Sequence, residues 1–206
     1  MNMEQKLYDK GIEKYPLASA IGQNLLFMIY FAVAFIGMSF LQINNIPIVS
    51  IIYILFIGIM LIFVLRKHLC THCFYYGKVC GTGWGKLAAC LFNKSSGNYE
   101  LGGKLAGVTW MLAMFLPLIG MVIALILNWF SMTITLLLVV FIVLSVVNFL
   151  IHRESCRRCK MRFVCPGSTA KWWKWCTAQL CANFICPWNF KWNNDKEWRD
   201  KRWELL

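Results

Sequence analysis

The sequence predicts an all-α integral membrane protein with four transmembrane helices, arranged as two tandem-repeated hairpins, each followed by a cytoplasmic Cys-rich segment. Three observations predict it. Of the 206 residues 59% are hydrophobic and the mean hydropathy is +0.58, well above what a soluble domain carries. No Asp, Glu, Lys or Arg occurs between Lys14 and Arg66, or between Lys104 and Arg153. Finally, each charge-free stretch is followed by a cysteine run, and the two runs share one spacing.

A spanning helix needs about 20 mostly apolar residues, so each gap holds two. The first divides at Gln42-Ile43-Asn44-Asn45-Ile46-Pro47, where polar residues and a proline favour a turn, and the second near Asn128-Trp129-Phe130-Ser131. Helices are expected at about 21–41, 48–65, 106–127 and 132–151. A soluble bundle is disfavoured because these helices have no polar face to give to water. The first span is too long for a signal peptide and lacks a small-residue cleavage site, so it is expected to be retained. The chain thus divides into 1–65 (N-terminal segment and first hairpin), 66–105 (first Cys-rich segment), 106–151 (second hairpin) and 152–206 (second Cys-rich segment and a Trp/Lys-rich tail).

Charge sets the expected orientation. Of the 21 Lys and Arg, three precede the first helix, six lie in the middle segment and twelve in the tail, and all nine acidic residues lie in the same segments. By the positive-inside tendency these segments, with both termini, face the cytoplasm. The formal net charge of +12 is thereby explained by membrane topology and lipid contact, and nucleic acid is not expected as a partner.

The middle segment reads Cys70-x2-Cys73-x6-Cys80-x9-Cys90, and the tail opens Cys156-x2-Cys159-x5-Cys165-x10-Cys176. Cys70, Cys73 and Cys90 recur at one offset as Cys156, Cys159 and Cys176, and the third cysteine slips by one position. Val79 and Val164, and Lys86 and Lys171, accompany them. The duplicated unit is therefore a hairpin plus a four-cysteine segment, with halves expected to be related by a twofold along the membrane normal. A C-x2-C turn delivers two thiolates to one point and the separated cysteines supply two more, a donor set for Zn²⁺ or an iron–sulfur cluster. None of the ten cysteines falls inside an expected spanning helix, where a merely apolar cysteine would be most comfortable. A reducing cytosol disfavours a disulfide framework.

Cys70, Cys73, Cys80 and Cys90 are expected to hold one site and Cys156, Cys159, Cys165 and Cys176 the other, with Cys181 and Cys186 as alternatives for the last ligand. Two [4Fe–4S] clusters are preferred to two Zn²⁺, because paired clusters beneath a membrane anchor make an electron path whereas paired zincs would only fold loops. Cys165-Pro166 and Cys186-Pro187 match the cysteine–proline ending of bacterial ferredoxin motifs, without their spacing. His68, His72 and His152 flank the cysteines as ligands, outer hydrogen-bond donors or ordinary interfacial residues.

Gly81-Thr82-Gly83-Trp84-Gly85-Lys86 has the wrong glycine spacing for a phosphate loop, and Leu87 stands where Ser or Thr would bind Mg²⁺. These glycines are expected to let the chain turn tightly at the first site. Phe74-Tyr75-Tyr76 would shield it from water or sit at the interface. Tryptophans and lysines of the tail, Trp172, Trp173 and Trp175 among them, suit the headgroup layer. The charged stretch from Asn193 to Leu206 reads as a terminal helix that docks a partner. Ionisable residues are missing from the spans, which excludes proton relays and voltage sensors, and Gln23, Asn24, Thr109, Ser145 and Asn148 are expected to join helices. Together these features give an expectation of a membrane-anchored iron–sulfur electron-transfer protein, a subunit of a larger complex with cytoplasmic or membrane redox partners. Quinone is permitted without being indicated. The alternatives are a zinc-stabilised scaffold or assembly factor, and a thiol oxidoreductase working through Cys70–Cys73 and Cys156–Cys159 disulfides.

Overall fold

The computed structural model describes residues 7–169; Cys176, Cys181, Cys186, the tryptophan-rich tail and the expected terminal helix lie outside the described residues. The described chain forms α1 (Leu17–Met38), α2 (Ile48–Ile59), α3 (Leu65–His68), α4 (Trp84–Leu91), α5 (Tyr99–Leu127) and α6 (Met132–Arg158). A π turn, Met60–Val64, joins α2 to α3, and a 3₁₀ turn, Cys70–His72, follows. Four helical stretches, Leu17–Met38, Ile48–His72, Tyr99–Leu127 and Met132–Arg158, are long and apolar enough to cross a membrane. Leu25, Ile52, Ile119 and Val143 are exposed on these four stretches, as befits a multi-pass membrane protein whose outer surface meets lipid tails.

The helix ends differ from expectation for local reasons. Pro16 precedes α1 at φ −64°, and its fixed φ starts the helix at Leu17 rather than near residue 21. Asn98 caps α5 by accepting a 3.1 Å hydrogen bond from the Leu101 amide, so that helix begins at Tyr99 rather than near residue 106. At its other end α6 runs on through its charged residues to Arg158, where Glu154 pairs with Arg157 and Arg158 at 2.9 Å. Charge marked where the apolar stretch stops, not where the helix stops. Consequently Cys156 is in the last turn of α6, inside the Met132–Arg158 stretch, Cys70 falls inside Ile48–His72, and Cys90 is on α4, so the expectation that no cysteine lies inside a spanning helix does not hold.

The first hairpin closes on Asn44 and Asn45, at φ 52° and 62°, between reciprocal Ile43 and Ile46 backbone bonds of 3.0 and 3.1 Å. Asparagine is among the residues that best tolerate that left-handed pair.

In the bundle interior, Pro117 of α5 lacks the N–H that would bond the Ala113 carbonyl. Two tyrosines use that carbonyl instead, Tyr53 of α2 at 3.0 Å and Tyr30 of α1 at 3.3 Å. Tyr30 also stacks on Phe141 of α6, with ring centroids 4.8 Å apart, so all four spans meet here. Nearer the turns, a side chain at Gly37 would strike Met121, and one at Gly120 would meet Met38. The two Gly-Met pairs interlock α1 with α5. Of the polar residues expected to join helices, Gln23 donates to Asn148 at 3.2 Å across α1 and α6. Thr109 and Ser145 bond the carbonyl four residues back in their own helices, a common resting place for a buried hydroxyl, and Ser145 of α6 also bonds the Tyr30 hydroxyl of α1.

Candidate functional site

Both cysteine segments lie at the end of the bundle where α1 and α5 begin and where the second and fourth spans finish. The first passes from α3 into the 3₁₀ turn, and the Cys73 amide donates to the Cys70 carbonyl at 3.2 Å. Tyr76 then donates to Cys73 and Lys78 to Tyr75, at 3.0 and 2.9 Å. The second leaves α6 in the same way: Cys159 donates to Cys156, Arg162 to Cys159 and Val164 to Met161, at 3.3, 3.2 and 3.0 Å. These bonds correspond at the offset relating Cys70 to Cys156. Cys73 and Cys159 also share one conformation, φ −80° ψ 147° and φ −79° ψ 136°. The third cysteines match too, since Cys80 accepts from Gly83 and Cys165 from Ser168, at 2.9 and 3.2 Å.

The two segments are joined rather than separate. Residues ahead of α1 run between them, with Tyr8 and Ile12 donating to the Lys160 and Arg158 carbonyls at 2.9 Å each, and Tyr15 donating to Val79 at 3.0 Å. The Tyr15 hydroxyl reaches the Ser155 carbonyl at 2.9 Å. Tyr75, 1% exposed, donates its hydroxyl to the Ile12 carbonyl and accepts from the Lys160 amide at 3.1 Å. Glu13 and Lys160 pair at 2.8 Å, and the hydrogen bond and charge of that lysine hold the Glu13 carboxyl below its usual range.

This stitching gathers the thiols. Cys73, Cys80, Cys159 and Cys165 all pack against one apolar cluster that includes Tyr15, Tyr75, Val79 and Met161. Cys70 is within electrostatic reach of Cys80 and Cys73, Cys156 is within reach of Cys159, and Cys73 interacts across the segments with Cys159 and Cys165. Cys90 is exposed on α4 and outside that cluster. No disulfide joins the seven described cysteines. Among the described residues no three His, Cys, Asp or Glu side chains converge tightly enough to hold a metal ion. Burial pushes the Cys73 thiol well up and the Cys159 thiol up, because a low dielectric disfavours the thiolate.

The histidines do different work. His68 Nδ1 accepts from the Asn98 amide at 2.9 Å, fixing the start of α5. His72 lies 3.1 Å from the Thr71 hydroxyl. His152 Nε2 lies 3.5 Å from Cys156 Sγ and 3.2 Å from the Gly167 carbonyl, which puts it beside a candidate ligand. Gly83 caps α4 at φ 72°, a left-handed conformation that favours glycine. Gly85 presses directly on the Tyr75 and Lys78 carbonyls. Tyr75 was expected to shield the first site from water or sit at the interface, whereas Tyr15 was not legible as part of it, although a tyrosine just ahead of each hairpin, Tyr15 and Tyr99, was a signal available in the sequence. The Tyr99 hydroxyl donates to the Val164 carbonyl at 3.4 Å.

Comparison with known proteins returns no matching family model, curated protein or solved structure.

Proposed function

We propose that the chain is a membrane-anchored iron–sulfur electron-transfer subunit, carrying two [4Fe–4S] clusters at the cytoplasmic face. The observation that carries this reading is the meeting of both C-x2-C turns, in the same backbone conformation, and of both third cysteines at one end of the bundle. Matching turns, with the reciprocal Gly37–Met121 and Gly120–Met38 contacts, support an origin by duplication about an axis along the membrane normal. Cys70, Cys73 and Cys80 supply three ligands of one cluster, and Cys156, Cys159 and Cys165 three of the other. Their shared spacing nominates Cys90 and Cys176 as fourth ligands, with Cys181 and Cys186 as alternatives to Cys176. Clusters this close together would exchange electrons, and a partner would dock nearby. Exposed Lys14, Lys78 and Lys86, with Glu13 among them, line two neighbouring open clefts beside Val79 and Tyr15, a net positive surface suited to an acidic cytoplasmic redox protein.

Pairing beneath one membrane anchor favours the cluster over zinc, because two clusters side by side make an electron path whereas two zincs would only fold loops. A specific contact, Cys156 with His152, favours a second reading, a thiol oxidoreductase, since an imidazole can take a thiol proton. Two features weigh against it: both C-x2-C turns sit at the carbonyl end of a helix, the wrong pole for a free thiolate, and burial holds the thiols of Cys73 and Cys159 protonated.

Anaerobic purification with iron, sulfide, zinc and thiol analysis separates the readings. Iron and acid-labile sulfide for two clusters, with visible absorption bleached by a low-potential reductant, supports electron transfer. Stoichiometric colourless zinc supports the scaffold. Metal-free protein with reversible disulfides at Cys70–Cys73 and Cys156–Cys159 supports the oxidoreductase.

A further inference from the structure

The chain ahead of α1, residues 8–15, lies as a strap along the seam between the two cysteine segments. Its outer end is held by Tyr8, whose amide donates to the Lys160 carbonyl at 2.9 Å. The Tyr8 ring meets Phe163 edge-on with centroids 5.7 Å apart, and the Arg162 guanidinium lies 4.6 Å over it. In the middle, Ile12 pairs with Cys159 in a parallel bridge, and its amide donates to the Arg158 carbonyl at 2.9 Å. The Ile12 side chain packs on the apolar cluster that includes Cys73, Cys80, Cys159 and Cys165, and its carbonyl accepts from the Tyr75 hydroxyl. Gly11 is buried so close to the second segment that a Cβ there would lie 2.6 Å from Lys160 Cα. Glu13, its side chain 77% exposed, adds the ion pair with Lys160 at 2.8 Å. At the inner end Tyr15, 6% exposed, bonds both Val79 and Ser155, and Pro16 leads into α1.

These anchors are unequal. Tyr15 is buried and bonded to both segments, a fixed point. From Tyr8 to Glu13 the strap is attached by single main-chain hydrogen bonds at Tyr8 and Ile12, by the Tyr75 hydroxyl and by an exposed ion pair. Attachments of that kind open locally while a packed helical bundle stays folded. We infer that residues 8–14 are a latch that pivots at Tyr15, and that its release admits reactants to Cys159 and the thiols packed beside it. Closed, the strap lies directly along Cys159; open, it leaves that edge of the second segment to solvent. The inference is independent of the iron–sulfur reading, because a metal donor, an oxidant or a thiol reagent approaching Cys159 meets the same strap. Tyr75 is the keeper of the latch: one hydroxyl donates to Ile12 and accepts from the Lys160 amide at 3.1 Å, so the strap and the junction of the two segments share one atom.

The test is the rate at which N-ethylmaleimide modifies each cysteine of the full chain in detergent, read site by site by mass spectrometry under reducing, anaerobic conditions with chelator present. Wild type is compared with Gly11→Val, Glu13→Lys and the charge swap Glu13→Lys/Lys160→Glu, with circular dichroism to show that the helices are intact. Gly11→Val wedges the strap away from Lys160 and should raise the Cys159 rate about tenfold, the change in open population that overpacking produces. Cys90, exposed on α4 and away from the strap, should react as in wild type. Glu13→Lys sets like charges against each other and should raise the Cys159 rate roughly threefold, and the charge swap, which rebuilds the pair in reverse, should return it to the wild-type value. An unchanged Cys159 rate in folded Gly11→Val, an equal rise at Cys90, or a rise in Glu13→Lys that the swap does not reverse would overturn the latch. If Gly11→Val does not fold, Glu13→Lys decides alone, and an unchanged Cys159 rate there overturns it.

Discussion

Gly85 shows how little room the first cysteine segment has. A Cβ there would be driven onto the Tyr75 carbonyl and within 2.7 Å of the Lys78 carbonyl, and backbone oxygens cannot rotate away as a side chain can. Gly85→Ala should therefore destabilise the protein by about 1–3 kcal/mol, the usual scale of overpacking. Gly107→Ala, on an open face of α5 with nothing within 4 Å, should be neutral or stabilise by up to about 1 kcal/mol. Denaturant unfolding in detergent compares them. At Cys73 and Cys159 burial raises the thiol above its ordinary value of 9.0, so the folded state holds these protons more tightly than the unfolded chain does. Stability of the metal-free protein is then fully present below about pH 9 and falls as pH rises above it. Cys73→Ser should flatten that decline in an unfolding series from neutral to alkaline pH. Metal or cluster binding, which expels the same protons, should tighten over the same range. Cysteine identity and spacing were legible from the sequence alone; the crossing of Cys73 to Cys159 and Cys165 was not, because spacing along a chain suggests that each run closes on itself.

At the level of elements, the spans were legible because a charge inside lipid is so unfavourable that its absence marks the membrane. Their ends were not, since a helix continues past the last apolar residue whenever capping and ion pairs permit, as α6 does through Glu154, Arg157 and Arg158. Nor could periodicity show the π turn at Met60–Val64 or what Pro117 does. That proline releases the Ala113 carbonyl, an oxygen with two lone pairs, to Tyr30 and Tyr53. Tyr53→Phe should cost about 0.5–1.5 kcal/mol in the wild-type background. In Pro117→Ala the restored helix N–H competes for the same oxygen, and the loss on Tyr53→Phe should shrink. A double-mutant cycle measures the coupling, and equal losses in the two backgrounds would show that the proline does not govern this contact.

For the molecule as a whole, sidedness is one question rather than three. The N-terminal segment bonds to Arg158 and Lys160 through Tyr8 and Ile12, and to Val79 through Tyr15. The segment ahead of α1 and both cysteine segments therefore share one side of any membrane the spans cross, and an assay on one fixes the others. The charge asymmetry, with 21 basic residues and none in either hairpin turn, argues that this side is the cytoplasm. Two exposed positions at opposite ends of the bundle read it directly: Gln42, before the first hairpin turn, and Lys94, between α4 and α5. In intact cells a membrane-impermeant maleimide should label Gln42→Cys above the background of the native cysteines, whereas Lys94→Cys should gain label over that background only after permeabilisation. The reverse pattern would place the thiols in an oxidising compartment, where disulfides are stable. Cys70–Cys73 and Cys156–Cys159 would then be candidates for bonding to each other rather than to iron, so this labelling experiment bears on the chemistry as directly as metal analysis does.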